Sequence, residues 1–181
     1  PYALFLDDDD WLLPEHIENL ISALEGNPDA VAAYGDTACL EQRNDDWVEI
    51  RRFSGPVEIQ RLVFENRLPI HAVLFCRERL AHLRFDEAFD LFEDWDWWLQ
   101  VSTHGRMLHV PKTGAIYRIH SAGGLGVRAD EKQASAALDQ IIQKWHVGAR
   151  PEIIKERLAY VRQLMVALDA EQHNATKLRE S

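Results

Sequence analysis

The chain opens on an apolar run, Tyr2-Ala3-Leu4-Phe5-Leu6, that ends at once in four consecutive carboxylates, Asp7-Asp8-Asp9-Asp10. Five apolar residues without alternation fit a strand covered on both faces, as in a parallel α/β sheet. In such sheets ligands sit outside the carboxyl ends of the strands, and this strand releases its aspartates at that end. Adjacent like charges raise one another's pKa values. A folded protein therefore keeps such a group ionised by holding a cation or by spreading the side chains into water. Asp7 and Asp9, two apart, can face one cation across a tight turn, and all-oxygen ligation suits Mg²⁺ or Mn²⁺. The plainer reading is a solvated acidic loop before a helix, whose N-terminus also favours carboxylates. A calcium EF-hand is disfavoured, because the Gly at loop position six and the closing bidentate Glu are absent.

Composition narrows the partners. With 181 residues and 46% hydrophobic content, the chain is long enough for one sizeable core and does not demand a second. A net charge of -10 disfavours a nucleic-acid backbone or an anionic membrane as the main partner, while leaving room for a small anionic substrate held by local cations or a metal. Cys39 and Cys76 lie in no C-x-x-C pattern, so neither a disulfide framework nor a zinc site is expected, and a reducing, cytoplasmic setting fits. No apolar run reaches the roughly 18 to 20 residues of a membrane span. The start on Pro1, inside a strand pattern, gives the expectation that this is a piece of a longer protein.

Turn signals separate alternating strand and helix patterns. Pro14 and Glu15 suit the first turn of a helix carrying Ile17, Leu20, Ile21 and Leu24 and stopping near Gly26-Asn27-Pro28. Residues 31–40 and 47–53 read as a hairpin around a polar turn, 57–65 as a short helix, and 70–76 as a strand. A helical turn near 78–82 precedes a tryptophan-rich helix over 94–104, closed by Gly105. Residues 107–110 and 114–120 read as two strands, 121–126 as a Gly-rich loop, and 130–146 and 151–173 as two final helices. In the last, Ile154, Leu158, Val161, Met165 and Leu168 form a stripe that suits packing on the domain, or alternatively a dimer helix.

Two further constellations carry chemistry. Phe92-Glu93-Asp94-Trp95-Asp96-Trp97-Trp98 sets three acids among large aromatics; burial against such rings raises a carboxyl pKa and yields a general base or acid near neutrality. The competing reading is that the tryptophans are core and the acids cap the helix. In Tyr117-Arg118-Ile119-His120, period-two alternation turns Arg118 and His120 to one face; Arg suits diphosphate oxygens and neutral His suits a metal shell.

Taken in order, these stretches resemble the inverting family 2 glycosyltransferases of GT-A fold. Leu6-Asp7-Asp8-Asp9-Asp10 looks like that family's L-D-x-D-D segment, and Ile70 to Arg77 like the strand before its acceptor site. Arg84-Phe85-Asp86-Glu87 is similar to its G-x-F-D-E stretch, with Leu83-Arg84 in the glycine region. Glu93-Asp94-Trp95-Asp96 matches E-D-W-D, and Tyr117-Arg118-Ile119-His120 matches Y-R-x-H. Order and spacing agree from residue 2 to about 124.

The resemblance implies a truncated GT-A-like α/β domain over 1–126, a mixed sheet flanked by helices, with a C-terminal helical extension over 127–181. It also implies roles. Asp7 would lie near the donor ribose or sugar, Asp9 would bind a divalent Mn²⁺ or Mg²⁺ on the donor diphosphate, and Asp10 would support that metal. Asp94 would be the general base, with Glu93 positioning the acceptor. His120 would approach the metal or diphosphate, and Arg118 would offset charge on the leaving nucleoside diphosphate. Trp95, Trp97 and Trp98 would shape the acceptor pocket or the core behind it. The implied partners are a nucleotide-sugar donor and a carbohydrate or lipid-linked glycan acceptor.

This chain departs from the family by starting just before the D-x-D, without the strand-helix-strand half that recognises the base. Poor nucleotide-sugar binding by this piece alone is expected, as is self-association through the exposed sheet edge or the C-terminal helices. The alternatives are a non-catalytic interaction or assembly module, and a metal-dependent phosphoryl-transfer or hydrolase protein using the same aspartates.

Overall fold

The computed structural model describes residues 1–44, 46–119 and 131–146. Its contacts divide the chain into two compact units, Pro1–Ile142 and Gln143–Ser181. The first is built on a mixed sheet. Its strands are β1 (Tyr2–Ala3), β2 (Trp11–Leu12), β3 (Ala30–Arg43), β4 (Asp46–Phe53), β5 (Val73–Cys76) and β6 (Arg106–Ile119). The order is β1-β5-β3-β6-β2, with β4 continuing alongside the distal half of β3. Only β3 and β6 run parallel; every other pairing is antiparallel. The mixed α/β architecture expected from the sequence is therefore present, and it accords with a truncated GT-A-like domain.

The helices follow from strand alternation. Along β3 and β5, Ala33 and Leu74 face α1 (His16–Glu25), where Leu20 and Leu24 close a core cluster with Ala30. Phe75, one residue on, faces the opposite side and packs against Trp97 and Trp98 of α3 (Glu93–Ser102). One helix thus covers each face near the centre of the sheet. A one-turn helix α2 (Ile59–Leu62) lies within the expected 57–65. The helix α4 (Glu131–His146) matches the expected 130–146, and its Ala137 and Ile141 are buried.

Several boundaries differ from expectation for local reasons. The opening strand holds the ladder for only two residues, antiparallel to β5 and at the sheet edge. Beyond Ala3 the Phe5 ring enters an aromatic cluster with Phe75, Phe85 and Trp97, at centroid distances of 5.2 to 5.9 Å. The first helix begins at His16, not Pro14, because Glu15 sits in the left-handed region at φ 68°. Ile17, placed in its apolar stripe, is largely exposed, and His16 takes the inward position. Residues 70–72 form a 3-10 turn ahead of β5. Residues 107–110 and 114–119 belong to one strand, which absorbs Pro111 and Lys112 as a bulge: Gly35 pairs Val110 and Asp36 pairs Thr113. Proline lacks the N–H needed for the ladder, so it is tolerated at such an irregularity. The expected loop over 121–126, the boundary at 126, and the helix over 151–173 lie outside the described residues.

Candidate functional site

Four carboxylates in a row leave β1 and return into β2 through a turn closed by the Asp10 N–H donating to the Asp7 carbonyl at 3.3 Å. The turn separates their fates. Asp7 and Asp8 are exposed, Asp9 is half-buried, and Asp10 is buried. Partial desolvation, and then repulsion from Asp10, push the Asp7 pKa up, with further contributions from Asp9 and Asp8 and an opposing one from His71. These are unneutralised oxygen donors crowded at one turn, the chemistry that suits a hard divalent cation.

Asp10 is tied into the protein. Its Oδ1 accepts the backbone N–H of Arg118 at 2.8 Å, which locks the acidic turn to β6. Its Oδ2 lies 2.9 Å from Nδ1 of the fully buried His71, at ion-pair distance but out of hydrogen-bond alignment. The His71 ring stacks on Tyr117, centroids 6.2 Å apart and planes 18° off parallel. Removing the Asp10 carboxylate leaves the part-buried Arg118 N–H without its acceptor and takes away the charge facing the buried His71 imidazole. Asp10→Ala is therefore expected to lower unfolding free energy by about 2 to 3 kcal/mol. Urea denaturation checks it, and a loss below about 0.5 kcal/mol, the ordinary range of a surface change, would contradict this role.

Arg118 is also committed. Its Nε donates to the Asp9 carbonyl, and its guanidinium lies 4.3 Å from the Trp11 ring centroid and 5.7 Å from that of Trp47. The two indoles meet edge to face at 5.5 Å, and Trp11 remains 41% exposed beside the acidic turn. The cation thus clamps the turn and the β3–β4 hairpin together.

Helix α3 brings the second carboxylate pair. Phe92 precedes it in the left-handed region at φ 68°, so the chain enters the helix sharply at Glu93-Asp94. Asp94 is half-buried. Its Oδ2 accepts from Asn66 Nδ2 at 2.9 Å and its Oδ1 from the Trp95 N–H at 2.6 Å. Desolvation, and next the charge of Glu93, push the Asp94 pKa up to about 6; the two hydrogen bonds oppose this, and Asp7 adds to it. Desolvation, followed by Asp10, Asp9, Cys39 and Asp94, likewise raises the Tyr117 phenol. The structure therefore brings Asp7, Asp9, Asp10, Asp94 and Tyr117 within electrostatic reach, although they lie on three separate segments. Glu93 is exposed at the same helix start. His120, expected to join them, lies outside the described residues.

The tryptophans divide cleanly. Trp95 donates to the Leu62 carbonyl at 2.6 Å and Trp98 to the Leu68 carbonyl at 2.9 Å, pinning α3 to the 62–68 segment. Trp97 stacks on Phe85 at 4.7 Å. All three are buried. Asp96 is buried and accepts from Gln100 at 2.8 Å. Asn66 and His71 were not singled out from the sequence. An imidazole within an apolar run was the signal His71 gave; Asn66, between Glu65 and Arg67, gave none.

Among the described residues, no group of three or more His, Cys, Asp or Glu side chains is arranged to hold a metal. The donors present still fit Mg²⁺ or Mn²⁺ in kind, since such ions are commonly held by one or two carboxylates together with water and substrate phosphates. Among the described residues, no helix is long and apolar enough to cross a membrane.

No family model matches the chain. It is similar to a protein of Bacillus subtilis (strain 168) described as an uncharacterized glycosyltransferase, YwdF, with 26% identity over 157 residues. The match takes in 82% of this chain and 56% of that protein, so the chain spans about half the length of its curated relative.

Proposed function

We propose that the chain is the metal- and acceptor-side portion of a glycosyltransferase that moves a sugar from a nucleotide-sugar to an acceptor hydroxyl with inversion. The observation that carries the reading is Asp94: a half-buried carboxylate at a helix start, oriented by Asn66 and the Trp95 N–H and pushed up to about 6. Such a group is ionised at neutral pH yet basic enough to take a proton as an acceptor oxygen attacks. The similarity to a protein described as a glycosyltransferase supports the same class.

In this reading the acceptor O–H gives its proton to Asp94 while its oxygen forms the bond to the anomeric carbon. The bond from that carbon to the diphosphate oxygen breaks on the opposite side, and the nucleoside diphosphate leaves with the electron pair. Asp7 and Asp9, with His120, would hold a divalent Mn²⁺ or Mg²⁺, which would neutralise the diphosphate charge. Asp10 would act one step back, keeping the acidic turn against β6. Glu93 would hold the acceptor and sustain the raised pKa of its neighbour. Arg118 would support the turn through the Asp9 carbonyl and leave diphosphate neutralisation mainly to the cation.

Calorimetry with Mn²⁺ and a nucleoside diphosphate tests the donor side. Binding is expected to require the cation and to be lost in Asp9→Ala. Undiminished cation-dependent binding by that variant would overturn the assignment of Asp9. Release of free sugar without transfer in the full-length protein would favour a hydrolase instead.

A further inference from the structure

Away from the acidic turn, two exposed histidines meet at close range. His82 belongs to the turn that follows β5, and His104 lies just past the C-terminus of α3. Their Nε2 atoms are 2.9 Å apart, with ring centroids at 4.8 Å and planes 55° apart.

The neighbours of His104 fix its tautomer. Its Nδ1 lies 3.0 Å from the Gln100 carbonyl oxygen and 3.0 Å from Thr103 Oγ1. The Thr103 hydroxyl already donates to that same carbonyl at 2.7 Å, so both neighbours offer only lone pairs to Nδ1. Nδ1 therefore carries the hydrogen, so neutral His104 accepts at Nε2 the hydrogen bond donated by His82 Nε2–H, and His82 would bind a metal through Nε2 only as its other tautomer, with the hydrogen on Nδ1. A ring N–H donated to a backbone carbonyl is the arrangement that orients metal-ligating histidines.

From these contacts we infer a surface transition-metal site formed by His82 and His104. Two imidazole nitrogens bound in adjacent positions at about 2.0 to 2.1 Å stand about 2.9 Å apart when the angle at the metal is near 90°, the angle of a square-planar Cu²⁺ or Ni²⁺ site rather than of tetrahedral Zn²⁺. Imidazole pairs select Zn²⁺, Cu²⁺ or Ni²⁺ over Mg²⁺ or Mn²⁺, so this site differs in ion class from the aspartate turn. Water completes the shell, as the exposure of both rings allows. The C-terminal end of α3, with its partial negative charge, favours a cation there. Arg84, a cation on the same turn, has its guanidinium bonded to the Ala81 and Leu83 carbonyls at 2.6 Å. An ion so held would tie the β5 turn to the far end of the helix that carries Asp94 in its first turn.

Calorimetric titration of the chain with Cu²⁺, Ni²⁺ and Zn²⁺ in a non-chelating buffer at pH 7.5 tests the inference, with Cu²⁺ electron paramagnetic resonance counting equatorial nitrogens. One equivalent with two nitrogen ligands is expected in the Asp7→Asn/Asp9→Asn background, which removes oxygen-ligand binding at the acidic turn. His82→Asn and His104→Asn should each weaken binding by at least about tenfold, the low end of what losing even an outer-shell partner costs. The double variant Asp7→Asn/Asp9→Asn should keep the two-nitrogen binding of the parent, which separates this site from the acidic turn. Absence of saturable binding, or binding unchanged in either histidine variant of native circular dichroism, overturns the proposal.

Discussion

On the glycosyltransferase function proposed above, Asp94→Asn is expected to lower sugar transfer by about 10²- to 10⁴-fold for loss of a positioned base, and at the same time to stabilise the fold at alkaline pH. The second effect follows from the raised pKa. Asp94 titrates at about 6 in the folded chain against 3.8 for the free side chain. Between those values the folded state binds more protons than the unfolded state, so stability falls as pH rises through about 4 to 6 and stays low above. A gap of roughly two units sets a ceiling of about 3 kcal/mol. Asparagine escapes that cost and keeps an oxygen for Asn66, but its amide cannot also accept from the Trp95 N–H, so a gain of about 1 to 2 kcal/mol at pH 8 is expected. At pH 4 the gain should vanish. Paired urea melts at the two pH values read the difference directly. Retained turnover would remove Asp94 from the chemistry, while a gain independent of pH would show that its carboxylate is not desolvated.

Gly114→Ala should be the most damaging single methyl group in the sheet. A Cβ at this position of β6 would lie 1.8 Å from Nδ1 and 2.6 Å from Cγ of His16. The imidazole is buried, with its Nε2 unpartnered among the described residues, and it also rests on Gly35, where an added Cβ would meet Cε1 at 3.1 Å. Gly114 holds the start of α1 as well, through its carbonyl accepting from the Leu13 N–H at 2.8 Å. The ring is buried and lies against both glycines, so a loss of about 3 kcal/mol or more is expected, at the upper end of overpacking costs. The double variant His16→Ala/Gly114→Ala should recover much of the loss relative to Gly114→Ala alone, because the clash is between these two residues. Additive losses in thermal melts of the three variants would show that glycine is needed for its backbone rather than for the space it leaves.

What could be read from the sequence was local. The 93–102 helix, its tryptophan face and the placing of acids at its start follow from adjacency and helical spacing, and the structure keeps them within two residues. The hairpin of β3 and β4 was legible for the same reason, since its strands are neighbours in the chain. The opening run was misjudged in extent because uniform apolarity does not distinguish strand pairing from the aromatic contacts that capture Phe5. Residues 107–119 looked like two strands because Pro111 breaks the pattern, whereas the long parallel partner β3 carries one strand across the break. His16 was invisible as a core residue because its place depends on glycines of β3 and β6.

The sequence alone settled that a strand–helix mixture would deliver four carboxylates to a turn, and that a second pair of acids would open an aromatic-rich helix. Adjacency and periodicity are properties of neighbouring residues, and they need no knowledge of the remainder of the chain. Only the tertiary structure decided what surrounds each carboxylate. It buries Asp10 against His71 and Arg118, residues from the 3-10 turn and from β6, while leaving Asp7 in reach of solvent and of Asp94. It turns Arg118 onto Trp11 and Trp47 rather than leaving it extended. Burial and hydrogen-bond partners set carboxylate chemistry, and both come from segments that meet only when the sheet closes.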